Sequence, residues 1–552
     1  MLPACFAFAL LPLALTAQSG SASPDEKDAE IARLQAEIAQ LKATLNQGAI
    51  AAQPAPAATP VAAAPASGPT PAAPAAPEKE DSSLLHLSKF EVRTTQGVGY
   101  SQGNSASALK TSESLMKLPA QIIVVTNDMI KDIGSGFASD VLAYAGLVPY
   151  YRGPAIMSRG SRVGNPYIDD VPWVGGIGVS DNTNIDTYQV IKGPQQVLYP
   201  LASLGGLVLQ TTKKPLPGVK QGIFNLRYTQ WGQHNFNFDI NQPLATAGDA
   251  KVTARLVGVD QSGERAFYNS KDDKRGFYPS ISLDWKNTIV SAQYGHMVYH
   301  YLPGGTGILT PDGDIYTGLG IRQQNSPRGN TDTNTQDEAR IAWTQILSEN
   351  WQVKSQVSFQ SIERYGSSAF PTTVNWNNNT MTYTLRKNNG FQQAFDYQTD
   401  VSGSYKIGMF PMRTAFGYNL HDQIGRSQFL VTTAASYPAA YTITIPIGDA
   451  AAINAIQLPP ATDYIPGSNG NPGSRTKQNV GNGYVMQTVE IIPDRLTLVG
   501  GLTYSNIETF TDTNLAVRNP YTGTDSVATE FLHRYGAVWS VTKSLSAYYS
   551  ES

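Results

Sequence analysis

Cysteine is almost absent from this chain of 552 residues, and its scarcity removes several kinds of site. The one cysteine, Cys5, lies in the first apolar run. A disulfide scaffold, a zinc site built from cysteines and a cysteine nucleophile elsewhere in the chain are therefore excluded. The sequence also contains no P-loop and no H-E-x-x-H motif. Its six histidines are scattered. We therefore predict no enzyme activity, no metal site and no cofactor.

Charge is also scarce, at 15% of the residues. The 40 Lys and Arg against 43 Asp and Glu give a net charge of −3, without the basic surplus that a nucleic-acid binder needs. No apolar run is long enough for a transmembrane helix. Yet 41% hydrophobic residues are too many for a disordered chain. With 28 Tyr and 49 Gly, the composition favours a large β-protein. A membrane barrel fits, because its lipid-facing residues alternate with polar ones.

The first 80 residues divide into three segments. Residues 1–17 are apolar and end in small side chains, which predicts a secretory signal peptide. Residues 25–46 predict a short coiled-coil helix, because apolar residues recur at spacings of three and four: Ile31, Leu34, Ile38, Leu41 and Leu45. Oligomerisation or spacing through this helix and a lone amphipathic helix both remain open. Residues 49–80 are rich in alanine and proline and predict a linker.

Residues 93–217 have the pattern of a compact α+β domain. A strand is predicted at Gln121–Thr126, and Asn127 or Asp128 is the expected cap of the helix that follows. Short strand candidates and many glycines and prolines occupy the rest.

Several short motifs appear in order along this domain. They are Leu118-Pro119, Val125-Thr126, Ser158-Arg159-Gly160, Asp169-Asp170-Val171-Pro172, Val190-Ile191-Lys192-Gly193-Pro194, Leu198-Tyr199, Gly205-Gly206 and Thr212-Lys213-Lys214-Pro215. The ordered set resembles the plug domain of TonB-dependent outer-membrane transporters. Two departures are Pro200, where the family usually has Gly, and Asp186-Thr187-Tyr188, which replaces an acidic-Arg-Ile run. The Lys-Lys-Pro ending is similar to the ferric-siderophore branch.

The resemblance implies roles for particular residues. Segment 86–92 is the expected TonB-interaction segment: Leu87, Ser88, Lys89, Phe90, Glu91 and Val92. The plug motif comprises Arg159, Gly160, Lys192, Gly193, Pro194, Gly205 and Gly206. We interpret the charges of Arg159, Lys192 and Lys214 as plug-internal or plug-to-barrel salt bridges. Tyr150, Tyr151, Arg152 and Trp173 are the candidate ligand contacts, because aromatic and cationic groups suit an anionic ferric chelate.

From residue 221 to 552, apolar and polar residues alternate with a period of two. On a strand, this alternation gives one apolar face and one polar face. A membrane barrel requires both, because its outside contacts lipid and its inside contacts water or a plug. A soluble β-sandwich or propeller is the alternative. Aromatics at strand ends (Tyr299, Tyr301, Trp376, Tyr548, Tyr549) and long loops at 300–335, 365–392 and 430–476 favour the barrel.

Thirteen strands are predicted in this region. They lie near 222–231, 234–242, 251–260, 276–286, 288–299, 337–347, 350–363, 393–406, 409–430, 477–491, 495–511, 527–541 and 544–551. Plugged transporter barrels have about 22 strands. We therefore expect an incomplete transmembrane antiparallel β-barrel with an N-terminal α+β plug, in a chain truncated at its C-terminal end.

The expected function is TonB-dependent import across the cell outer membrane, with a ferric siderophore as substrate and the N-terminus in the periplasm. The expected partners are the TonB C-terminal domain, through it the ExbB/ExbD motor, and outer-membrane lipid. Iron enters only as part of the transported chelate. Importers of cobalamin, glycans or other metal chelates, a passive porin or adhesin, and a non-functional fragment remain as alternatives.

Overall fold

The computed structural model describes most of the chain from Gly99 onward. The described residues are 99–100, 104–105, 109–111, 113–149, 156–175, 181–193, 195–264, 268–301, 308–320, 322–323, 325–432, 442–458, 464–466, 473–512, 523–542 and 544–552. The predicted signal peptide, coiled-coil helix, linker and TonB-interaction segment lie outside them.

Residues 99–217 contain short strands and helices. In chain order they are β1 Asn104–Ser105, β2 Glu113–Ser114, a 3-10 turn at Leu115–Lys117, β3 Gln121–Val125, α1 Asn127–Ile133, α2 Ala138–Ala143, β4 Val148–Pro149, β5 Ile156–Ser158, β6 Ser161–Arg162, β7 Tyr167–Ile168, β8 Val171–Pro172, β9 Ile185–Lys192 and β10 Leu207–Thr212. The main sheet has the order β3-β9-β10-β7-β8. We call this part the N-terminal domain.

The first helix of the N-terminal domain starts one residue earlier than the sequence predicted. Thr126 caps it, since its side chain accepts a hydrogen bond from the Met129 N–H at 3.4 Å. The prediction of Asn127 or Asp128 as the cap is therefore wrong. Gly134 ends the helix in the left-handed conformation, with φ of 65°. Apolar residues of α1, α2, β3, β9 and β10 pack together as one core under the sheet.

Residues 221–552 form one large antiparallel sheet with additions on one side. Its elements are β11 Gln221–Tyr228, β12 His234–Ala247, β13 Ala250–Ser262, β14 Asp272–Trp285, β15 Thr288–Tyr301, β16 Thr331–Ser348, β17 Trp351–Asn375, β18 Thr380–Ile407, β19 Phe410–Thr432, β20 Thr442–Pro446, α3 Ala450–Ala455, β21 Tyr464–Pro466, β22 Ser474–Ile492, β23 Leu496–Asp512, β24 Thr524–Thr542 and β25 Leu545–Glu551. Thirteen strands follow one another in order from β11 to β25, while β20 pairs with β18 and β21 with β19.

Each of the thirteen predicted strands corresponds to one strand on this path. The two ends of the path, β11 and β25, do not pair with each other in the described residues, so the sheet is not closed there. Short turns join β12 to β13, β14 to β15, β16 to β17, β18 to β19, β22 to β23 and β24 to β25 at one edge, which we call the short-turn side. The opposite edge is the long-loop side.

The predicted alternation is visible as two different faces of the large sheet. One face exposes large apolar side chains, among them Leu226, Ile341, Phe395 and Leu502. The other is polar and contacts the N-terminal domain. Such an apolar outer band suits lipid, because water would leave a large hydrophobic area exposed. None of the helices in the described part of the chain is long and apolar enough to span a membrane.

The prediction of a long loop at 365–392 is wrong. Strands β17 and β18 run through most of it, and β18 has 28 residues. At about 3.3 Å per residue it is roughly 90 Å long, whereas a membrane-crossing strand needs only about 9–11 residues. The asparagines there suggested a loop, but cross-strand pairing satisfies the backbone whatever the side chain.

A separate apolar cluster lies on the long-loop side. It is formed by Ile308, Ala369, Met381, Tyr383, Leu385, Ile445, Ile447, Ile453 and Ile456. The Tyr383 hydroxyl donates to the Asn325 carbonyl at 2.8 Å. The long hairpin β17–β18, β20 and α3 therefore fold together with the preceding loop into a packed unit.

The aromatic predictions divide. Tyr548 and Tyr549 are more than half exposed, as an interfacial position requires. Tyr299 is buried and packs against Phe137 of the N-terminal domain, with ring centroids 6.3 Å apart. Trp376 packs against Tyr316 in the loop cluster. Tyr299 and Trp376 therefore do not belong to an aromatic belt at the membrane interface, because their rings pack against other residues inside the protein.

Candidate functional site: the contact between the N-terminal domain and the large sheet

The N-terminal domain contacts the polar face of the large sheet through hydrogen bonds with glutamine side chains of that sheet. The Gln360 side chain donates to the Pro172 carbonyl at 2.8 Å and accepts from the Val174 N–H at 3.2 Å. The Gln356 side chain donates to the Asp169 carbonyl at 2.8 Å. These contacts place the turn between β7 and β8 against β17.

That turn consists of Asp169 and Asp170, which have φ of 48° and 74°. A two-residue hairpin turn with both central residues in the left-handed region is typical of type I′, where Asn, Asp and Gly are favoured. The turn thus carries two carboxylates side by side into the contact.

Asp169 binds three partners. Its carboxylate is 2.7 Å from the Lys214 ammonium, accepts from the Thr212 hydroxyl at 2.6 Å and pairs with the Arg340 guanidinium of β16. Burial alone would raise the pKa of Asp169, but Lys214 and Arg340 outweigh burial and hold the pKa well below its usual range. The predicted salt bridge of Lys214 is confirmed by this pair.

Asp170 points to different cations. Lys110 Nζ is 3.2 Å and Lys354 Nζ 3.9 Å from its carboxylate, and the Tyr199 hydroxyl donates to it at 3.1 Å. Burial would raise the pKa of Asp170, but the two lysines outweigh it and keep the pKa below its usual value. Both carboxylates are therefore anionic at neutral pH.

A second ionic contact lies nearer the long-loop side. Lys274 of β14 is 2.9 Å from Asp181 and also donates to the Gly136 carbonyl at 2.8 Å. The side chains of Lys274 and Asp181 are each 3% exposed. The Tyr278 hydroxyl donates to the other carboxylate oxygen at 3.2 Å. One barrel lysine thus holds two separate loops of the N-terminal domain.

A third contact lies near the short-turn side. Glu113 is 2.6 Å from Arg413 of β19, which is also 3.5 Å from Glu490. Burial raises the pKa of Glu113 in spite of the nearby Arg413. Arg534 of β24 donates to the Gln195 side chain at 2.7 Å. Ionic contacts therefore reach the N-terminal domain from several strands.

Among the predicted motif residues, Arg159 and Gly160 form the turn of the β5–β6 hairpin, with φ of 50° and 79°. The Arg159 guanidinium donates to the neutral Gln121 side chain at 2.7 Å, so the salt bridge predicted for it is replaced by an amide contact. The Lys192 ammonium lies beside Gly146.

The motif glycines are required by close backbone approaches. A Cβ on Gly206 would lie 2.5 Å from the Ile191 carbonyl oxygen, and φ there is 117°. A Cβ on Gly205 would meet the Ser161 and Arg162 carbonyls at 2.9 Å. Gly193 has φ of 101°, a value that side-chain-bearing residues rarely adopt. These glycines are structural, since Gly206 lets the chain before β10 approach β9 and Gly205 lets it approach β6.

The candidate ligand contacts remain predictions. Trp173 is buried and packs with Ile168, Val174, Ile362 and Ala394, so it lies between the two parts of the molecule. Tyr150, Tyr151 and Arg152 lie outside the described residues, as does Pro194 of the plug motif.

Sequence reasoning missed Lys110, Asp170, Asp181 and Lys274. One signal was available: Asp170 lies in the motif Asp169-Asp170-Val171-Pro172, whose form in the plug domains that this segment resembles is Asp-Gly-Val-Pro. The partners of that aspartate come from distant positions in the chain, which no local pattern indicates.

The described residues contain no group of three or more His, Cys, Asp or Glu side chains that could hold a metal ion. A further pattern in the sequence is G-x-S-x-G at Gly99-Tyr100-Ser101-Gln102-Gly103. A nucleophile elbow of that pattern must lead into a helix, whereas here strand β1 follows. The pattern therefore lacks the structural context that catalysis requires.

Two curated relatives resemble a part of the chain. The metal-pseudopaline receptor CntO of Pseudomonas aeruginosa is 27% identical over 176 residues, which are 31% of this chain and 25% of that protein. The ferrioxamine B receptor of Salmonella typhimurium is 25% identical over 199 residues, 33% of this chain and 27% of that protein. Each match spans about a quarter of the relative's length.

Solved structures share the fold. The ferripyoverdine receptor of Pseudomonas aeruginosa superposes with a TM-score of 0.68 at 17% identity, covering 82% of this chain and 59% of that one. The siderophore receptor PiuA of Acinetobacter baumannii gives 0.70 at 15% identity, covering 82% and 66%. The family model for the TonB dependent receptor-like β-barrel matches residues 258–552, more than half of the chain. With its alternating strands and ordered motifs, this chain belongs to the TonB-dependent receptor family.

Proposed function

We propose that this receptor imports a small metal chelate, a ferric siderophore, across the outer membrane, and that the N-terminal domain is its movable plug. The observation that carries the proposal is the contact described above. The domain is held against the large sheet by ion pairs and amide hydrogen bonds from β14, β16, β17, β18, β19 and β24. Apolar clusters join the two parts as well, among them one in which Leu198 and Tyr199 pack with Met486 and Val499.

The polar share of the contact suits a part that must move. Water can replace hydrogen bonds and solvate charges at a modest net cost, whereas separating two large apolar faces exposes them to water. A domain attached in this way can shift inside a barrel and return. A passive porin has no need of such an attached domain.

Energy enters at the N-terminal end in this proposal. Segment 86–92 pairs with the TonB C-terminal domain by strand addition, in which backbone hydrogen bonds supply affinity. The ExbB/ExbD motor then pulls on that segment from the periplasm. The short-turn side accordingly faces the periplasm and the long-loop side faces outward.

The relatives support the substrate class. Their names record metal-pseudopaline and ferrioxamine B, and the similar structures include receptors for ferripyoverdine and other siderophores. We assign the first ligand contacts to Tyr150, Tyr151 and Arg152, with Trp173 reached after the domain shifts. The iron atom belongs to the cargo and is not a cofactor.

The test is uptake of radiolabelled ferric siderophores by iron-starved cells that carry either the complete gene or a version lacking residues 86–92. A deletion of seven residues inside the linker, 62–68, is the matched control, because it shortens the chain equally without touching the predicted segment. We expect the first deletion to abolish uptake and the second to leave it unchanged.

Collapse of the proton gradient is the second arm of the test. Import energised through TonB must stop, whereas diffusion through a passive porin continues. Uptake that survives both the 86–92 deletion and the loss of the gradient would overturn the proposal and favour the porin.

A further inference from the structure

Lys110 adopts a backbone conformation that lysine normally avoids. Its φ is 59°, in the left-handed region, and its side chain is only 3% exposed. It lies in the turn between β1 and β2, which pair through Asn104 with Ser114 and Ser105 with Glu113. A strained, buried residue of this kind persists only where the surroundings hold it firmly.

The surroundings of Lys110 join both parts of the molecule. Its ammonium is 3.2 Å from Asp170 of the N-terminal domain and 3.8 Å from Asp400 of β18. It also lies 4.8 Å from the centroid of the Tyr199 ring. The Tyr484 hydroxyl donates to Asp400 at 2.5 Å and so fixes that carboxylate. One cation therefore bridges two carboxylates from separate parts of the fold.

Asp170 is strained in the same way. Its φ of 74° suits glycine, and the residue stands where the plug motif has glycine. A charged residue at this position is held there by Lys110, Lys354 and the Tyr199 hydroxyl. Two non-glycine residues in the left-handed region thus face each other across one ion pair.

Lys110 also has a particular place along the chain. It is the first residue, within the part that the structure describes, whose side chain forms an ion pair with the large sheet. The ion pair of Glu113 with Arg413 comes after it. Tension applied at segment 86–92 therefore reaches the Lys110 contact before the other ionic contacts.

We propose that Lys110, Asp170 and Asp400 form a latch that carries the pulling force and whose opening lets the N-terminal domain move. We call it the Lys110 latch. The proposal rests on the proposed function in one respect, because the force is supplied through TonB. The latch makes Lys110 and Asp170 positioning residues, since neither is assigned a ligand contact.

The test is single-molecule pulling on the full chain in phosphatidylcholine vesicles, through a cysteine introduced in the linker by Ala64→Cys. Lys110→Met and Asp170→Asn each remove the 3.2 Å ion pair and unbalance the charges of a buried contact, so the first opening step should be roughly tenfold or more faster at equal force. Asp181→Asn is the matched control. It removes an equally buried ion pair that lies later in the chain, and the first step should stay unchanged.

Two further variants separate a latch from a merely structural role. Lys110→Arg keeps the charge and should restore most of the wild-type opening rate. Asp170→Gly suits the backbone, so it should fold well yet open as fast as Asp170→Asn. Wild-type opening in Lys110→Met and Asp170→Asn, or equal acceleration in Asp181→Asn, would overturn the latch.

Pulling needs no TonB, so the result is independent of the proposed function. A failed latch leaves the uptake test of the 86–92 deletion intact. Conversely, uptake that is unchanged by the 86–92 deletion would overturn the coupling to TonB. The opening rates in the pulling experiment would still test the Lys110 latch.

Discussion

Two neighbouring residues of β16, Arg340 and Ile341, show how differently the two faces of the large sheet are built. Arg340 is buried and pairs with Asp169 of the N-terminal domain, whereas Ile341 is 55% exposed in the apolar band. The outer face needs only an apolar side chain at every second position. The inner face needs a partner of opposite charge at one place in another part of the chain.

The largest expected effect comes from breaking the inner face. Asp169→Asn leaves Lys214 and Arg340 without their shared carboxylate, and we expect a loss of about 3–5 kcal/mol in the stability of the N-terminal domain. Urea unfolding in vesicles, followed by hydrogen exchange of β7 and β8, measures it. Asp260→Asn is the control: its pair with Arg275 is largely exposed, and at most about 1 kcal/mol should be lost. Equal losses in both variants would remove the distinction between the faces.

The next effect comes from the outer face. Ile341→Arg places next to Arg340 a second arginine that points to lipid, and its cost should be about 2–4 kcal/mol near the bilayer midplane. Ile341→Leu should be nearly neutral, since it keeps an apolar surface. The measurement is the urea midpoint of folding into vesicles. An arginine tolerated as well as leucine would contradict the assignment of this face to lipid.

A smaller effect tests the geometry of the N-terminal domain itself. Gly206→Ala meets the Ile191 carbonyl and forces a φ of 117° on alanine, so we expect a loss of about 1–3 kcal/mol confined to β9 and β10. Gly218→Ala is the milder control, because its Cβ would meet no atom within 4 Å. Hydrogen exchange resolved by strand should show β9 and β10 opening while the large sheet stays protected.

The smallest expected effect is a pH dependence on the acid side. The folded-state pKa of Asp169 is lowered, so its contribution to stability is fully present above the unfolded value of about 3.9 and is lost as pH falls through the folded pKa. Stability of the N-terminal domain should therefore decline below about pH 4. In the Asp169→Asn variant the decline in stability should be shallower, because the contribution of the Asp169 carboxylate is missing. If stability falls equally with decreasing pH in the wild type and in Asp169→Asn, Asp169 is not a stabilising anion in the folded protein.

The sequence anticipated the elements better than the contacts. Thirteen strands were expected and thirteen follow one another on the sheet path, because a strand with one lipid-facing side must alternate. The exception is the segment 365–392, where local polarity concealed strands completed by their partners. The cap at Thr126 was missed by one residue, a usual error at a helix end.

Candidate site residues were anticipated less well. Lys214 forms the expected salt bridge, but Arg159 binds an amide and Tyr299 faces the N-terminal domain. Lys110, Asp181 and Lys274 gave no periodic or motif signal of their own, and Asp170 gave only its place in a motif that usually has glycine there. Their importance comes from partners that lie tens or hundreds of positions away.

The large sheet explains why the chain has few charges and many tyrosines. The sequence by itself determined the strands with their period-two alternation, the positions of the glycines and the order of the motifs, because each of these is a pattern of residues that are close together along the chain. Only the tertiary structure decided which charges meet, because an ion pair such as Asp169 with Arg340 requires two distant segments to arrive within a few ångströms of each other. Burial then makes those few charges matter more than their number suggests.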